Sequence, residues 1–182
     1  NPNKIIAGET APQGGITLTN SGLYSRAPYQ YFSHFAVRPG DAVIGETINQ
    51  RDAVRIEQAS LANPMVTDVE FKNMSISWAL DENFSTYQNV QYVKLTDSII
   101  SEGLWHNNHL NEDGSLEPHS SGAIMNVKLR QASILRNFWI HNQNRNMKWN
   151  PDTESELINN VFYNFGSGNS NTNDLTNYSN LS

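Results

Sequence analysis

The sequence predicts an all-β solenoid of stacked parallel coils, and three observations predict it. No long segment places apolar residues at i, i+3, i+4 and i+7 between helix caps, so helices are scarce. Five short strand-like segments share one pattern: an apolar residue, a polar residue, then His, Asn or Asp, with Val37, Ile76, Ile100, Ile140 or Tyr163 three positions further on. Their spacing is regular: "FSHFAV", "FKNMSI", "LTDSII", "LRNFWI" and "INNVFY" begin at Phe32, Phe71, Leu95, Leu135 and Ile158, giving steps of 39, 24, 40 and 23 residues.

The short step is one coil, and the long step is a coil carrying an inserted loop of about 16 residues. Within each segment the apolar positions point inward and pack on the neighbouring coil, so Phe71, Ile76, Leu95, Ile100, Leu135, Ile140, Ile158 and Val161 are the expected core. His34, Asn73, Asp97, Asn137 and Asn160 fall at one repeated corner, where polar side chains can hydrogen-bond up and down the stack. A β-sandwich of short strands is the competing reading, disfavoured because the register holds across five segments. The insertions lie between Pro39 and Pro64 and over residues 105–121. Residues 1–166 therefore read as coils with two inserted loops, and 167–182 as a polar low-complexity tail or a truncated coil.

Composition narrows the function. The chain has 182 residues, enough for one domain with a sizeable core, and 25 asparagines, which suit turns and ladders better than helix interiors. A net charge of -6 and a pI near 5.3 argue against a nucleic-acid partner, which demands a concentrated basic face. No apolar run approaches the roughly 20 residues of a membrane span. Cysteine is absent, so no disulfide is available. The start at Asn1, without a basic and apolar leader, reads as a processed protein or an excised fragment.

Chemistry is expected on the loops, because a rigid solenoid tolerates insertions only on its outside. Asp81 and Glu82 end one strand segment, Glu102 ends the next one 21 residues later, and Asp52 falls in the coil before. Acids gathered from successive coils offer the hard oxygens that Ca2+ prefers; solvated acids at strand ends are the plain alternative. His106, His109 and His119 share the second loop at spacings that match no helical metal-ligand pair, so they read as surface or substrate-contacting groups. Arg145 and Lys148 follow a coil strand in an acidic protein, suiting an anionic substrate or a solvated turn.

In order along the chain, "KIIAGETAPQGGITL", "RPGD", "SISWALDEN", "SIISEGL", "HNQNRN" and "INNVFYNFG" resemble the bacterial pectate lyases of polysaccharide lyase family 1. The usual wording there is I-A-G-x-T-A-P, S-F-S-W-x-x-D-E-N, S-E-G-L, H-N-x-x-R-N-P-R and N-N-V-x-Y-N. The resemblance implies a right-handed parallel β-helix and a secreted, calcium-dependent enzyme that cleaves an acidic uronate polysaccharide, pectate first, by β-elimination. It places Asp52 and Asp81 on calcium-ligand positions and Arg145 on the base position, with Glu82 and Glu102 as further candidate metal ligands and Lys148, His119 and His109 as candidate substrate contacts. It also implies a fragment, since family members have further coils on both sides. The departures are specific: Leu116 or Glu117 stands where the family's K-G-P-H has lysine, Lys148 replaces the second arginine, Met147 the proline, and Ser85 a third acid. A non-catalytic carbohydrate-binding or tailspike-like β-helix would keep the coils and lose such residues. A hydrolase would instead use adjacent carboxylates such as Asp81 and Glu82.

Overall fold

Short alternating apolar runs closed by a polar residue that tolerates a left-handed backbone fold as short strands joined by sharp corners. In the computed structural model, which describes residues 2–42, 48–126 and 129–166, the chain winds this way five times. The first coil holds β1 (Lys4–Ala7), β2 (Thr17–Thr19) and β3 (Leu23–Ser25). The second holds β4 (Gln30–Ser33), β5 (Ala36–Arg38) and β6 (Val54–Glu57), and the third β7 (Val66–Lys72), β8 (Ser75–Ser77) and β9 (Glu82–Tyr87). The fourth holds β10 (Val90–Thr96), β11 (Ile99–Ser101) and β12 (Ser121–Met125), and the fifth β13 (Ala132–Leu135), β14 (Phe138–Ile140) and β15 (Asn146–Trp149). The strands β16 (Ser155–Ile158) and β17 (Val161–Tyr163) begin a sixth.

Every third strand stacks on its counterpart, giving three parallel sheets: β1-β4-β7-β10-β13-β16, β2-β5-β8-β11-β14-β17 and β3-β6-β9-β12-β15. This is the expected right-handed parallel β-helix, with its connections following the handedness that parallel crossovers take. Its core is the interior of the coil. Phe32 stacks on Phe71 with ring centroids 5.0 Å apart, and Leu95 follows Phe71 in the same file; Val37, Ile76, Ile100 and Trp139 form the matching file of the second sheet.

The predicted core holds for Phe71, Ile76, Leu95 and Ile100, all fully buried, and slips by one residue afterwards. Leu95 pairs with Ile134 and Ile100 with Trp139, so Ile134 and Trp139 are buried while Leu135 and Ile140 are half-buried. In the next coil Leu157 and Phe162 pack on the core, whereas Ile158 and Val161 are exposed. The reason lies at the corner, which is two positions wide. Its outer position carries His34, Asn73, Asp97, Arg136 and Asn159, all with φ between 52° and 58°. The next position turns inward and carries Met74, Ser98, Asn137 and Asn160.

Both positions form ladders. Outside, Asn73 Nδ2 lies 2.6 Å from His34 Nε2, and Arg136 forks onto Asp97 at 2.6 and 2.9 Å. Inside, Ser98 Oγ accepts from the Met74 N–H, Asn137 Oδ1 from the Ser98 N–H and Asn160 Oδ1 from the Asn137 N–H, each at 3.0 Å. Asparagine satisfies either position, so "RN" in "LRNFWI" aligns plausibly in two registers, and the apolar pattern alone selects the wrong one. The tail assigned to residues 167–182 lies outside the described residues.

This register has a direct test. Ile134→Ala should cost about 2–5 kcal/mol, as for a fully buried side chain, and Leu135→Ala less than half as much. Urea unfolding of both variants measures this; equal losses, or a larger loss at Leu135, would mean the register is misassigned.

Candidate functional site

The site grows from the corner between the second and third sheets. Both long insertions leave the stack here, residues 39–53 between β5 and β6 and residues 102–120 between β11 and β12, while the intervening coil turns directly from β8 to β9. The tight turn is held from within. Asn83 Oδ1 accepts from the Ala79 N–H, and its Nδ2 donates to Ser101 O and to Asn142 Oδ1 at 2.9 Å; Asn142 Nδ2 donates to Ile100 O and to Asn146 Oδ1. This buried asparagine network fixes the positions of Asp81 and Glu82 on one coil and of Arg145, beside Asn146, on another.

The second loop is pinned by Asn107. Its Nδ2 donates to Leu80 O, Leu104 O and His119 O, and its Oδ1 accepts from the His109 N–H. Asn49 closes the gap to the first insertion, donating to Leu110 O at 2.9 Å and accepting from the Leu110 N–H at 3.0 Å. Asn49 and the second loop therefore adjoin one another at this corner.

Three acids gather at this corner. Asp52, Asp81 and Glu82 each present an oxygen, all within 4.8 Å of one another. Asp52 and Glu82 are essentially buried, and Asp81 is half-buried toward the loop wall. Asp52 is held by the Glu82 N–H at 3.1 Å and by Ser85 Oγ at 2.5 Å, with Arg55 Nη1 3.5 Å away. Glu82 Oε1 pairs with Arg145 Nη1, and Glu82 Oε2 is buried with no hydrogen-bond partner. Arg145 stands at φ +47°, a strained backbone for a side chain of its size, at the foot of β15.

Burial and mutual repulsion split the carboxyls apart. Burial, then the charge on Asp81, pushes Asp52 up to about 7. Burial, then Asp81 and Asp52, holds Glu82 well above the usual carboxylate range despite Arg145. Burial also opposes ionisation of Asp81, but hydrogen bonds with His119 and Glu82 outweigh it and hold that group below its ordinary value. Burial and repulsion thus favour protons where three charges would otherwise meet. Three carboxylates that each bring an oxygen within 4.8 Å of the others form a donor set suited to Ca2+, which would replace those protons.

The other candidates distribute as follows. His119 Nε2 lies 2.9 Å from Asp81 Oδ1, and His109 stacks on His119, so both histidines join this wall. Lys148 is half-buried on β15, in the outward file of the third sheet that runs through Arg55, Ser85 and Ile124. Glu102 stands apart: it is exposed at φ +52° on the corner, where its carbonyl accepts from the Trp78 N–H, and it is not among the grouped acids. Its 21-residue spacing from Asp81 mimics one coil, but Glu102 stacks on Trp78 at the end of the second sheet, and the long loop that follows it makes Ser121 the stacking partner of Glu82. Asn83, Asn107 and Asn142 were not read from the sequence. Their only sequence signal is asparagine at a corner, which this chain repeats everywhere.

No protein-family model matches the chain. Curated fungal proteins do. Proteins named probable pectate lyase C from Emericella nidulans, Aspergillus flavus and Aspergillus fumigatus are each 32% identical to it over 164 residues, covering 90% of this chain and 33% of the relative. The chain thus spans about one third of the length of these relatives, and its motif resemblance to pectate lyases is borne out over nearly all of its own length. Among the described residues no helix is long and apolar enough to cross a membrane.

The split carboxyls predict a pH dependence. An unfolded Asp has a pKa near 3.9, roughly three units below that of folded Asp52, so between about pH 4 and pH 7 the folded state retains a proton that the unfolded state has lost. In chelator, the contribution of Asp52 and Glu82 to stability should therefore fall as pH rises through this window, and calcium should reverse the fall. Thermal melts across the window, with chelator or with calcium, measure it for the wild type and Asp52→Asn. A wild-type profile indifferent to calcium, or an Asp52→Asn slope as steep as the wild type, would contradict the expectation.

Proposed function

We propose that this chain is part of a secreted, calcium-dependent polysaccharide lyase that cleaves an acidic uronate polymer, pectate first, by β-elimination. The observation that carries the reading is the convergence of Asp52, Asp81 and Glu82 with Arg145 at the corner bounded by both inserted loops. The relatives named probable pectate lyase C support it.

The chemistry follows from the substrate. The proton at C5 of a uronate is weakly acidic until the adjoining carboxylate is neutralised, and an anionic polymer is repelled by a protein of net charge -6. Asp52, Asp81 and Glu82 would hold calcium, whose charge would neutralise that carboxylate and stabilise the developing negative charge. Arg145 is the positioned cation of the site and takes the role at the reacting carbon, as base or as polarising group, once its guanidinium turns from Glu82 to the substrate. Lys148 lies one strand residue beyond Met147 and adds a positive charge along the third sheet, without the bidentate fork of arginine. His119, fixed by Asp81, and His109 behind it form the wall against which a sugar ring would rest.

Two other readings are addressed by the same geometry. A hydrolase using the adjacent Asp81 and Glu82 requires an acid and a base that both reach the glycosidic oxygen or its water, and Glu82 is too deeply buried to touch a sugar. A non-catalytic carbohydrate-binding coil is favoured by one observation, that Glu117 rather than a lysine occupies the loop beside His109 and His119.

Incubation with polygalacturonate, with and without calcium, separates these readings through the ultraviolet absorbance of the unsaturated product. Calcium-dependent absorbance supports the lyase, binding without product the carbohydrate-binding coil, and new reducing ends without absorbance the hydrolase. At residue level, Arg145→Lys should keep fold and calcium binding while lowering turnover by about two to four orders of magnitude. Asp81→Asn should raise the calcium concentration needed for activity, with excess calcium restoring part of the rate. Full activity in Arg145→Lys, or unchanged calcium dependence in Asp81→Asn, would remove these residues from the assigned roles.

A further inference from the structure

On the loop side of Asp81 lies a second group with different chemistry. His109, His119 and Asp81 each present a ligand atom within 4.8 Å of the others. The two imidazoles stack with centroids 4.2 Å apart and planes 11° from parallel. Glu117 Oε2 sits at the other edge of the pair, 3.3 Å from His109 Nδ1 and 3.6 Å from His119 Nδ1. His109 is about nine-tenths buried, and its Nδ1 has no aligned hydrogen-bond partner.

We propose that Asp81, His109 and His119 form a site for a borderline divalent cation of the zinc class, distinct in chemistry from the all-oxygen calcium group and sharing Asp81 with it. Two imidazole nitrogens and one carboxylate match the three-ligand set that such ions take with an open fourth position, whereas Ca2+ takes oxygens. Glu117 supplies the carboxylate that metal-bound histidines hold on their other nitrogen, fixing ring orientation. Because the rings are parallel in the metal-free arrangement, one of them turns about its χ2 to aim both lone pairs at a single ion. Asn107 makes this site possible: it donates to His119 O and accepts from the His109 N–H, so residues ten apart in sequence are brought face to face. Sharing Asp81 means that zinc and calcium compete, and zinc would act as a brake on any calcium-dependent activity of this corner.

Zinc binding is read without substrate, so this inference stands or falls separately from the lyase reading. Calorimetric titration of the chelator-stripped protein with zinc should show one equivalent bound. His109→Gln should weaken it about tenfold to a hundredfold, while His106→Gln, an exposed neighbour on the same loop, should not. Circular dichroism confirms that His109→Gln is folded. If it is not, cobalt(II) titrated into the wild type replaces the comparison: intense visible bands of a four-coordinate, nitrogen-containing site support the proposal, and the weak spectrum of an octahedral oxygen site overturns it. Absence of zinc binding by the wild type overturns it as well. So does zinc binding that survives His109→Gln but is lost in Asp52→Asn, which would put the ion in the acid group.

Discussion

Parallel strands stack about 4.8 Å apart, so residues in register on successive coils are pressed together whatever their charge. In most of this chain the consequence is benign: Phe32 lies on Phe71, Asn137 on Asn160, Asp97 beside Arg136. At the start of the third sheet the same spacing sets Asp52 against Glu82, with Asp81 one residue away. Buried like charges at that separation cannot all ionise without a counter-cation. Protons on Asp52 and Glu82, and Arg145 against Glu82, are how the metal-free protein resolves the conflict. At this corner the stacking rule works against local electrostatics.

A consequence concerns Arg145. Arg145 Nη1 donates to Glu82 Oε1, which ties the guanidinium to the acid group. A divalent cation held by Glu82 would compete with the guanidinium for that oxygen and loosen the hold. Metal binding and the availability of the guanidinium would be coupled in this way through a single side chain. The strained φ at Arg145 is consistent with a residue positioned by its surroundings, since Asn142, Asn144 and Asn146 on either side are buried.

Legibility in the sequence followed the same physics. The coil repeat was readable because burial of Phe32, Phe71 and Leu95 in one file demands a fixed spacing, and Asp52, Asp81, Glu82 and Arg145 were readable because their motifs are ordered along the chain. The register of the fifth coil was not, because asparagine satisfies both the outward and the inward corner position and "RN" reads equally well in either. Glu102 was grouped with the acids on linear spacing, which cannot reveal that an inserted loop moves the stacking partner of Glu82 to Ser121. The pairing of His109 with His119 was equally hidden. It depends on Asn107 folding the loop back on itself, a contact between side chain and backbone that leaves no periodic trace.

An acid group that holds protons at Asp52 and Glu82 would exchange them for a divalent cation. Calcium titration by calorimetry near pH 6, repeated in buffers of different ionisation enthalpy, measures this exchange directly. The account predicts one bound calcium with release of about one to two protons, from Asp52 and Glu82, and a smaller release above pH 8, where Asp52 is already ionised. Calcium binding with no proton release, or no calcium binding at all, would contradict it.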